Sequence, residues 1–373
     1  MKATISNNIT DKGYNPCTGC SACAVACPQH CIEMKLDLEG FLVASVNEDN
    51  CTHCGICKEV CYKYFVSDLL IPRKSFHESK VLAVVNNYFE QMRTVSSAGV
   101  ATTLARHYQS QGYDVCGCVF NVATDTCCHK VVRDEKEIDE LKGSKYLQSS
   151  TYSAFSELIS SKSPTIVFGT PCQIYGFRKE IQRRGVENRF ILIDLFCRGV
   201  PSFYLWKSYR SFIQRTFNLG EFRSVDFRDK TQGWHRFAMR ISDINGTDYA
   251  QSLYNDLFYY FYLSNTVMSE ACYACKFRHD LSMADIRLGD FWGDKYRDYD
   301  EGVSLVVLLT QKGESAVNSI APTIRSEVCS VDDIYESQRI CAIPVPEDRT
   351  RIISSLASGD SLENIFLMHK QNS

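Results

Sequence analysis

The chain has 373 residues, of which 45% are hydrophobic and 23% charged, with a net charge of −3 at neutral pH. That is chain enough for roughly two or three domains with a sizeable core, and the near-balance of charge argues against nucleic acid or an anionic membrane surface as partner. No run approaches the roughly eighteen apolar residues of a membrane span, the polar stretch 1–15 lacks the apolar core of a signal peptide, and nineteen cysteines without such a leader point to the reducing cytoplasm.

In chain order the first feature is a doubled cysteine run. Cys17, Cys20, Cys23 and Cys27 are spaced C-x2-C-x2-C-x3-C with Pro28 next, and Cys51, Cys54, Cys57 and Cys61 repeat the spacing. Two-residue gaps let one tight loop wrap three thiolates around a corner of an iron–sulfur cubane. Zinc sites use cysteines in pairs and disulfide frameworks suit short secreted chains; neither needs the third cysteine of each run. In two-cluster ferredoxins the fourth cysteine of each run crosses to the other cluster. Cys17, Cys20, Cys23 and Cys61 are therefore expected to hold one 4Fe-4S cluster, and Cys51, Cys54, Cys57 and Cys27 the other. Tyr62 stands where the second run would carry its proline, which changes the surroundings of a cluster and not its thiolate set. Residues 32–38 and 41–46, on either side of Glu39-Gly40, read as a hairpin between the two halves. These features define a small ferredoxin-like domain over 1–65, followed by a linker over 66–79 with Pro72 and mixed charge.

From Val81 the texture changes to alternating strands and helices. Strands are expected at 81–85, 113–120, 165–168 and 189–196, and helices at 100–111, 135–141, 151–161, 172–184 and 202–217. The alternation predicts an α/β part over 80–220 with a mostly parallel or mixed sheet covered on both faces. Residues 221–373 are richer in aromatics, with β segments at 224–227, 237–241 and 303–309 and a turn at Asn245-Gly246. They read as an α+β part.

A third set of cysteines is scattered. Cys172 follows Gly169-Thr170-Pro171 after one strand, Cys197 ends the next, and Cys272 and Cys275 form a C-x2-C pair. If the two strands are adjacent and parallel, Cys172 and Cys197 emerge at one carboxyl edge, where open α/β sheets bind ligands. The C-x2-C loop would then complete a four-thiolate site. Two buried cysteines plus a zinc knuckle would give the same pattern. Cys31, Cys116, Cys118, Cys127, Cys128, Cys329 and Cys341 read as structural.

Clusters pass single electrons, whereas most organic substrates change by two, so a flavin is the usual converter. No G-x-G-x-x-G follows a strand and no P-loop occurs. The best phosphate cradle is Ser96-Ser97-Ala98-Gly99 opening a helix, although an ordinary Ser N-cap looks the same. Residues 143–149 (GSKYLQS) offer a cation, hydroxyls, an amide and an aromatic, and so does many a solvated loop. Residues 284–293 (ADIRLGDFWG) end a strand in an acid beside two aromatics, which suits an isoalloxazine pocket or a packed turn. His53, His235 and His279 are lone histidines, and no catalytic residue is assigned.

Together these stretches resemble the beta-subunit family of coenzyme F420 hydrogenase/dehydrogenase. The resembling residues are 96–100, 143–149, 169–173 (GTPCQ), 196–202 (FCRGVPS), 227–234 (FRDKTQGW), 272–277 (CYACKF) and 285–293. With the ferredoxin-like domain they extend the resemblance to about residue 310. It implies a flavoprotein with FAD and 4Fe-4S clusters, moving electrons between a ferredoxin-type partner and an organic acceptor. The family also includes chlorophyll-type reductases, and some members accompany surface-polysaccharide genes, so the substrate is left open, as is use of a deazaflavin. Carried over residue by residue, the resemblance implies Cys172, Cys197, Cys272 and Cys275 as ligands of a cluster near the flavin. It implies Ser97, Gly99, Lys145, Gln148 and Thr170 as flavin contacts, with Ala98 where the family commonly has glycine. The expectation is an iron–sulfur flavoprotein oxidoreductase with a small-molecule substrate and a redox partner protein, a ferredoxin or an enzyme subunit. The alternative is a non-catalytic electron-transfer subunit feeding a partner enzyme; a pure conduit would need only the first eighty or so residues.

Overall fold

The computed structural model describes residues 7–10, 16–64, 75–88, 93–338 and 340–371. Most of the expected linker lies outside the described residues. Near the N-terminus the helix Ala22–Ala26 (ACAVA) is buried along its whole length, as a helix of small residues allows. It packs with an antiparallel hairpin of β1 (Ile32–Leu36) and β2 (Leu42–Val46), Ile32 opposite Val46 and Leu36 opposite Leu42. The turn forms because the Asp37 carboxylate accepts the N–H groups of Glu39 and Phe41, and Gly40 takes the left-handed conformation (φ 80°). The hairpin is the one the sequence predicts.

The body is a nine-stranded sheet. Its strands are β3 (Lys80–Asn86), β4 (Asp114–Asn121), β5 (Thr126–Val132), β6 (Ser149–Ser150), β7 (Thr165–Phe168), β8 (Phe190–Leu195), β12 (Ile286–Asp290), β13 (Ser304–Leu308) and β14 (Ile324–Cys329). They lie in the order β14-β3-β13-β12-β8-β7-β4-β5-β6. Period-two alternation divides them between two cores. Ala83, Cys116, Val167, Leu192, Leu305 and Val307 face the helices Tyr152–Ser160 and Pro171–Arg183. Leu82, Val84, Val115, Ile166, Ile191 and Leu308 face the helices Val100–Ser110 and Gln311–Ser319. Both faces are covered, as expected.

Of the two forms expected for the sheet, mostly parallel or mixed, the second is observed. The sheet is mixed: β4/β7, β7/β8, β8/β12 and β5/β6 are parallel, while β3/β14, β3/β13, β12/β13 and β4/β5 are antiparallel. Strands β12, β13 and β14, from beyond residue 220, join strands from before that point. The antiparallel partners come from beyond the helix–strand alternation, so that alternation shows only the parallel half. Strand β5 (TCCHKVV) is missing from the sequence reading; its inward residues are Cys127, His129 and Val131, an alternation in which two members are not aliphatic.

A second sheet, β11-β10-β9, is made of β9 (Phe222–Asp229), β10 (Ala238–Asp243) and β11 (Asp248–Ser252). It shares an aromatic core with the helices Phe203–Phe217, Leu257–Ser264, Arg349–Ser358 and Leu362–Gln371, including Trp206, Tyr209, Phe227, Phe258 and Tyr259. Asp256 pins this core. Its carboxylate accepts the Tyr209 and Tyr249 hydroxyls at 2.5 and 2.8 Å and caps the Leu257 helix at the Phe258 and Tyr259 N–H groups. Burial pushes this acid up to about 6.

Candidate functional site

The eight cysteines of the N-terminal domain sort into two nests. Cys23 lies within electrostatic reach of Cys17, Cys20 and Cys61, and also of Cys57. Cys57 lies in the same way beside Cys54, Cys27 and Cys51. The second group lines one small pocket together with Asn8, Pro28 and Cys31. Cys27 lines that pocket with Cys51, Cys54 and Cys57, and Cys61 lies near Cys20 and Cys17. Burial, with the neighbouring thiols adding to it, pushes Cys57 up to about 11 and Cys61 up to about 12. Without metal these groups are neutral thiols, so any cation must displace their protons. Cys54 is exposed, whereas Cys23, Cys27 and Cys57 are buried. Cys31, read from sequence as isolated, has its sulfur 3.4 Å from that of Cys27.

The inner cysteines lie within electrostatic reach of one another. β7 and β8 are adjacent and parallel, Phe168 opposite Ile193, so Cys172 and Cys197 leave the sheet at one carboxyl edge. The C-x2-C segment is brought there by backbone bonds from Ser202 N–H to Val267 O (2.8 Å) and from Ser269 N–H to Val200 O (3.1 Å). Gly199 (φ 131°) permits the approach: a Cβ there would sit 2.8 Å from the Met268 sulfur and 3.1 Å from Cys272 Cβ. Cys172 feels Cys197 and Cys275, and Cys272 feels Cys197 and Cys275. Burial pushes Cys197 up to about 11 and Cys272 up to about 12. Four clustered thiols suit a thiophilic metal centre. Two cations flank the nest. Arg287, itself buried, makes a two-pronged ion pair with buried Asp194 at 2.8 and 2.7 Å. Arg278 donates to the carbonyls of Arg198 and Cys272, and its Nε has no partner.

The inner and outer nests touch. The Pro171–Arg183 helix carries Cys172 in its first turn and Gly176 one turn later, and Gly176 lies against Ala22 and Cys20 of the N-terminal domain. Tyr62 fills the space between the nests. Its ring packs 5.6 Å from that of Phe277, and its hydroxyl is within reach of Cys172, Cys275, Cys61 and Cys20.

Next to the inner nest, reached through Tyr262, lies a polar cluster. Buried Arg228 donates through Nη1 to Asp290 (2.9 Å) and Tyr146 (3.0 Å) and through Nη2 to Ser96 O (3.0 Å); its Nε has no partner. Lys230 donates to Ser97 O at 3.0 Å and Glu301 O at 2.6 Å, and burial lowers its ammonium to about 8. Trp234 donates to Asp290 at 3.2 Å and stacks on Trp292, ring centres 4.9 Å apart. The Tyr146 ring lies 5.0 Å from that of Tyr262, whose hydroxyl reaches Gly199 O at 3.3 Å, which closes the gap to the inner nest.

Two of the flavin loops expected from sequence meet here: the Ser96 hydroxyl accepts from Ser144 N–H at 2.8 Å. Ser97 donates its hydroxyl to Val303 O at 2.7 Å, and Gly99 (φ 77°) opens the Val100 helix. Lys145 is tied to the carbonyls of Glu140 and Lys142. Gln148 and Thr170 stand apart. The Gln148 carboxamide bridges to Leu42 N–H, Leu42 O and Thr18 O of the N-terminal domain, and Thr170 caps the Pro171 helix with its hydroxyl 3.3 Å from the Cys172 sulfur. An open cleft of about 720 Å³ along β4 and β5 is lined by Phe120, Cys128, Lys130, Glu140 and Glu157; neither the Ser96–Gly99 turn nor the inner cysteines border it. Asp290 is the acid that ends the 284–293 stretch noted in the sequence, whereas Arg228, Lys230 and Arg278 were not singled out from it. The available signal was charge embedded in aromatic stretches, as in FRDKTQGW and CYACKFR.

Comparison with known proteins follows the same division. Residues 16–63 match the 4Fe-4S dicluster domain, and residues 164–334 match the family described as the C terminus of the coenzyme F420 hydrogenase/dehydrogenase beta subunit. An uncharacterized ferredoxin of Methanocaldococcus jannaschii is 38% identical over 50 residues, covering 13% of this chain and 74% of that protein. Among solved structures, a chain of the F420-reducing [NiFe] hydrogenase complex from Methanosarcina barkeri, determined with xenon, aligns with TM-score 0.49 and 14% identity, over 81% of this chain and 97% of that one. No helix among the described residues is long and apolar enough to cross a membrane.

Proposed function

Given that the chain belongs to the coenzyme F420 hydrogenase/dehydrogenase beta-subunit family and carries a 4Fe-4S dicluster domain, we propose that it is an iron–sulfur flavoprotein oxidoreductase. In this reading it moves electrons between a redox partner protein and a small organic substrate through three 4Fe-4S clusters and FAD. The observation that carries the reading is the contact of one helix with both nests, Cys172 at its start and Gly176 against Cys20. A chain that served only as a ferredoxin would have no use for this contact.

Electrons enter or leave on the side of Cys54, the exposed ligand of the outer pair. Cys51, Cys54, Cys57 and Cys27 would hold the outermost cluster, Cys17, Cys20, Cys23 and Cys61 the next, and Cys172, Cys197, Cys272 and Cys275 the innermost. The inner donor set fits such a group, because its four thiols are buried together and a buried guanidinium beside them retains an unpartnered Nε. The flavin site proposed is the cluster around Ser96–Gly99 and Gly143–Ser149. An anionic, aromatic group fits it on two counts: buried Arg228 has a free Nε, and the stacked Trp234 and Trp292 present flat apolar surface. When bound, FAD would exchange single electrons with a cluster and two with an organic substrate. Ser97, Gly99 and Lys145 would orient it, with Lys230 supplying positive charge beside the Ser97 turn. Thr170 would hold the Cys172 sulfur, and Gln148 would lock the N-terminal domain against this site.

The test is anaerobic reconstitution followed by cofactor identification. The proposal expects a flavin absorbance band bleached by dithionite alongside the clusters. Clusters without any retained flavin would refute it in favour of an electron-transfer subunit that feeds a partner enzyme.

A further inference from the structure

Arg278 is buried, with only 6% of its surface exposed. Its hydrogen bonds go to two backbone carbonyls, those of Arg198 and Cys272, and its Nε has no partner. Among the described residues no carboxylate pairs with it. Arg287 nearby is different, since Asp194 neutralises it through two hydrogen bonds. An uncompensated buried cation is costly, and proteins hold one where an opposite charge is supplied. The carbonyls that Arg278 grips belong to a proposed inner ligand, Cys272, and to the residue after another, Cys197. The charge it faces is therefore whatever the four thiols become when they bind metal.

We propose that Arg278 is the built-in counter-ion of an inner 4Fe-4S cluster and raises that cluster's reduction potential. The inference rests on the reading of Cys172, Cys197, Cys272 and Cys275 as cluster ligands. A four-thiolate cubane is anionic and gains one further negative charge on reduction. A fixed cation at short range stabilises the reduced form more than the oxidised one, and low local dielectric strengthens the effect. Burial alone pushes the potential the other way, because it disfavours the more highly charged state. Arg278 would offset that, keeping an inner cluster reducible from the Cys20 side. Arg278 acts through the ligands' surroundings and is a positioning residue, with no contact to a substrate implied.

The test is an EPR-monitored redox titration of the full-length, anaerobically reconstituted protein, with iron counted on the same samples. In Arg278→Met the inner cluster should become about tenfold harder to reduce, a fall of about 59 mV for a one-electron couple. The two outer clusters should keep their potentials, and Arg278→Lys should stay close to the parent protein. An unchanged inner potential in Arg278→Met, with about twelve irons still bound, would overturn the inference and leave the inner cluster standing. If Arg278→Met loses the inner cluster, its retention in Arg278→Lys supports the counter-ion role, and its loss in both variants contradicts it. A parent protein with about eight irons would remove the inner cluster itself and the inference with it.

Discussion

Gly176 and Ala22 are in contact across the boundary between the N-terminal domain and the sheet: a Cβ added at Gly176 would lie 2.4 Å from the Ala22 Cβ and 3.4 Å from the Cys20 sulfur. Neither neighbour can swing aside, since one is a methyl on a buried helix and the other a proposed cluster ligand. The helix geometry that puts Gly176 there also puts Cys172 beside Cys20. Gly176→Val should therefore push the two bodies apart, destabilising the protein by about 1–3 kcal/mol through overpacking. Iron content should be unchanged, with slower reduction of the innermost centre. Denaturation midpoints together with rapid-mixing spectroscopy would measure both.

Arg228 organises the polar cluster by joining Asp290, Tyr146 and the Ser96 carbonyl. The Arg228 and Asp290 side chains are 3% and 16% exposed. Removing only the cation leaves a carboxylate stranded in a low-dielectric site. Arg228→Met is expected to cost about 3–5 kcal/mol in chemical denaturation and to abolish flavin retention. Arg215→Met, which breaks an exposed pair with Glu363, should cost within about 1 kcal/mol and leave flavin in place.

Lys230 introduces a pH dependence. Burial lowers its ammonium to about 8, so the cation beside the Ser97 turn is present below that pH and lost above it. Binding of an anionic cofactor there should weaken as pH rises through about 8. Lys230→Met should bind more weakly throughout and show no step in that range. Flavin retained after gel filtration across a pH series reads this directly; a parent protein with no step would contradict the assignment.

The ferredoxin-like half was legible because its chemistry is local. Two-residue gaps state which thiols share a loop. The inner nest was legible only in part. Parallel neighbours β7 and β8 were inferred from strand–helix alternation, but Cys272 arrives through contacts at Val267 and Ser269 that no local pattern announces. The antiparallel half of the sheet was hidden for the same reason, since β12, β13 and β14 pair with strands far away in sequence. Gln148 shows the limit of motif reading. A carboxamide in a polar loop suits a nucleotide, and its observed partners are Thr18 and Leu42, more than a hundred residues earlier. Arg278 and Arg228 escaped notice because their burial is a property of the folded chain alone.

Iron and acid-labile sulfide counted on the anaerobically reconstituted protein, beside its Cys197→Ser variant, test the central claim most directly. Three four-iron nests in one line predict about twelve irons in the parent and about eight in the variant, with the variant's two remaining clusters still reducible by dithionite. About eight irons in both would show that the four inner cysteines hold no cluster, and the path from the N-terminal domain to the Arg228 site would be broken.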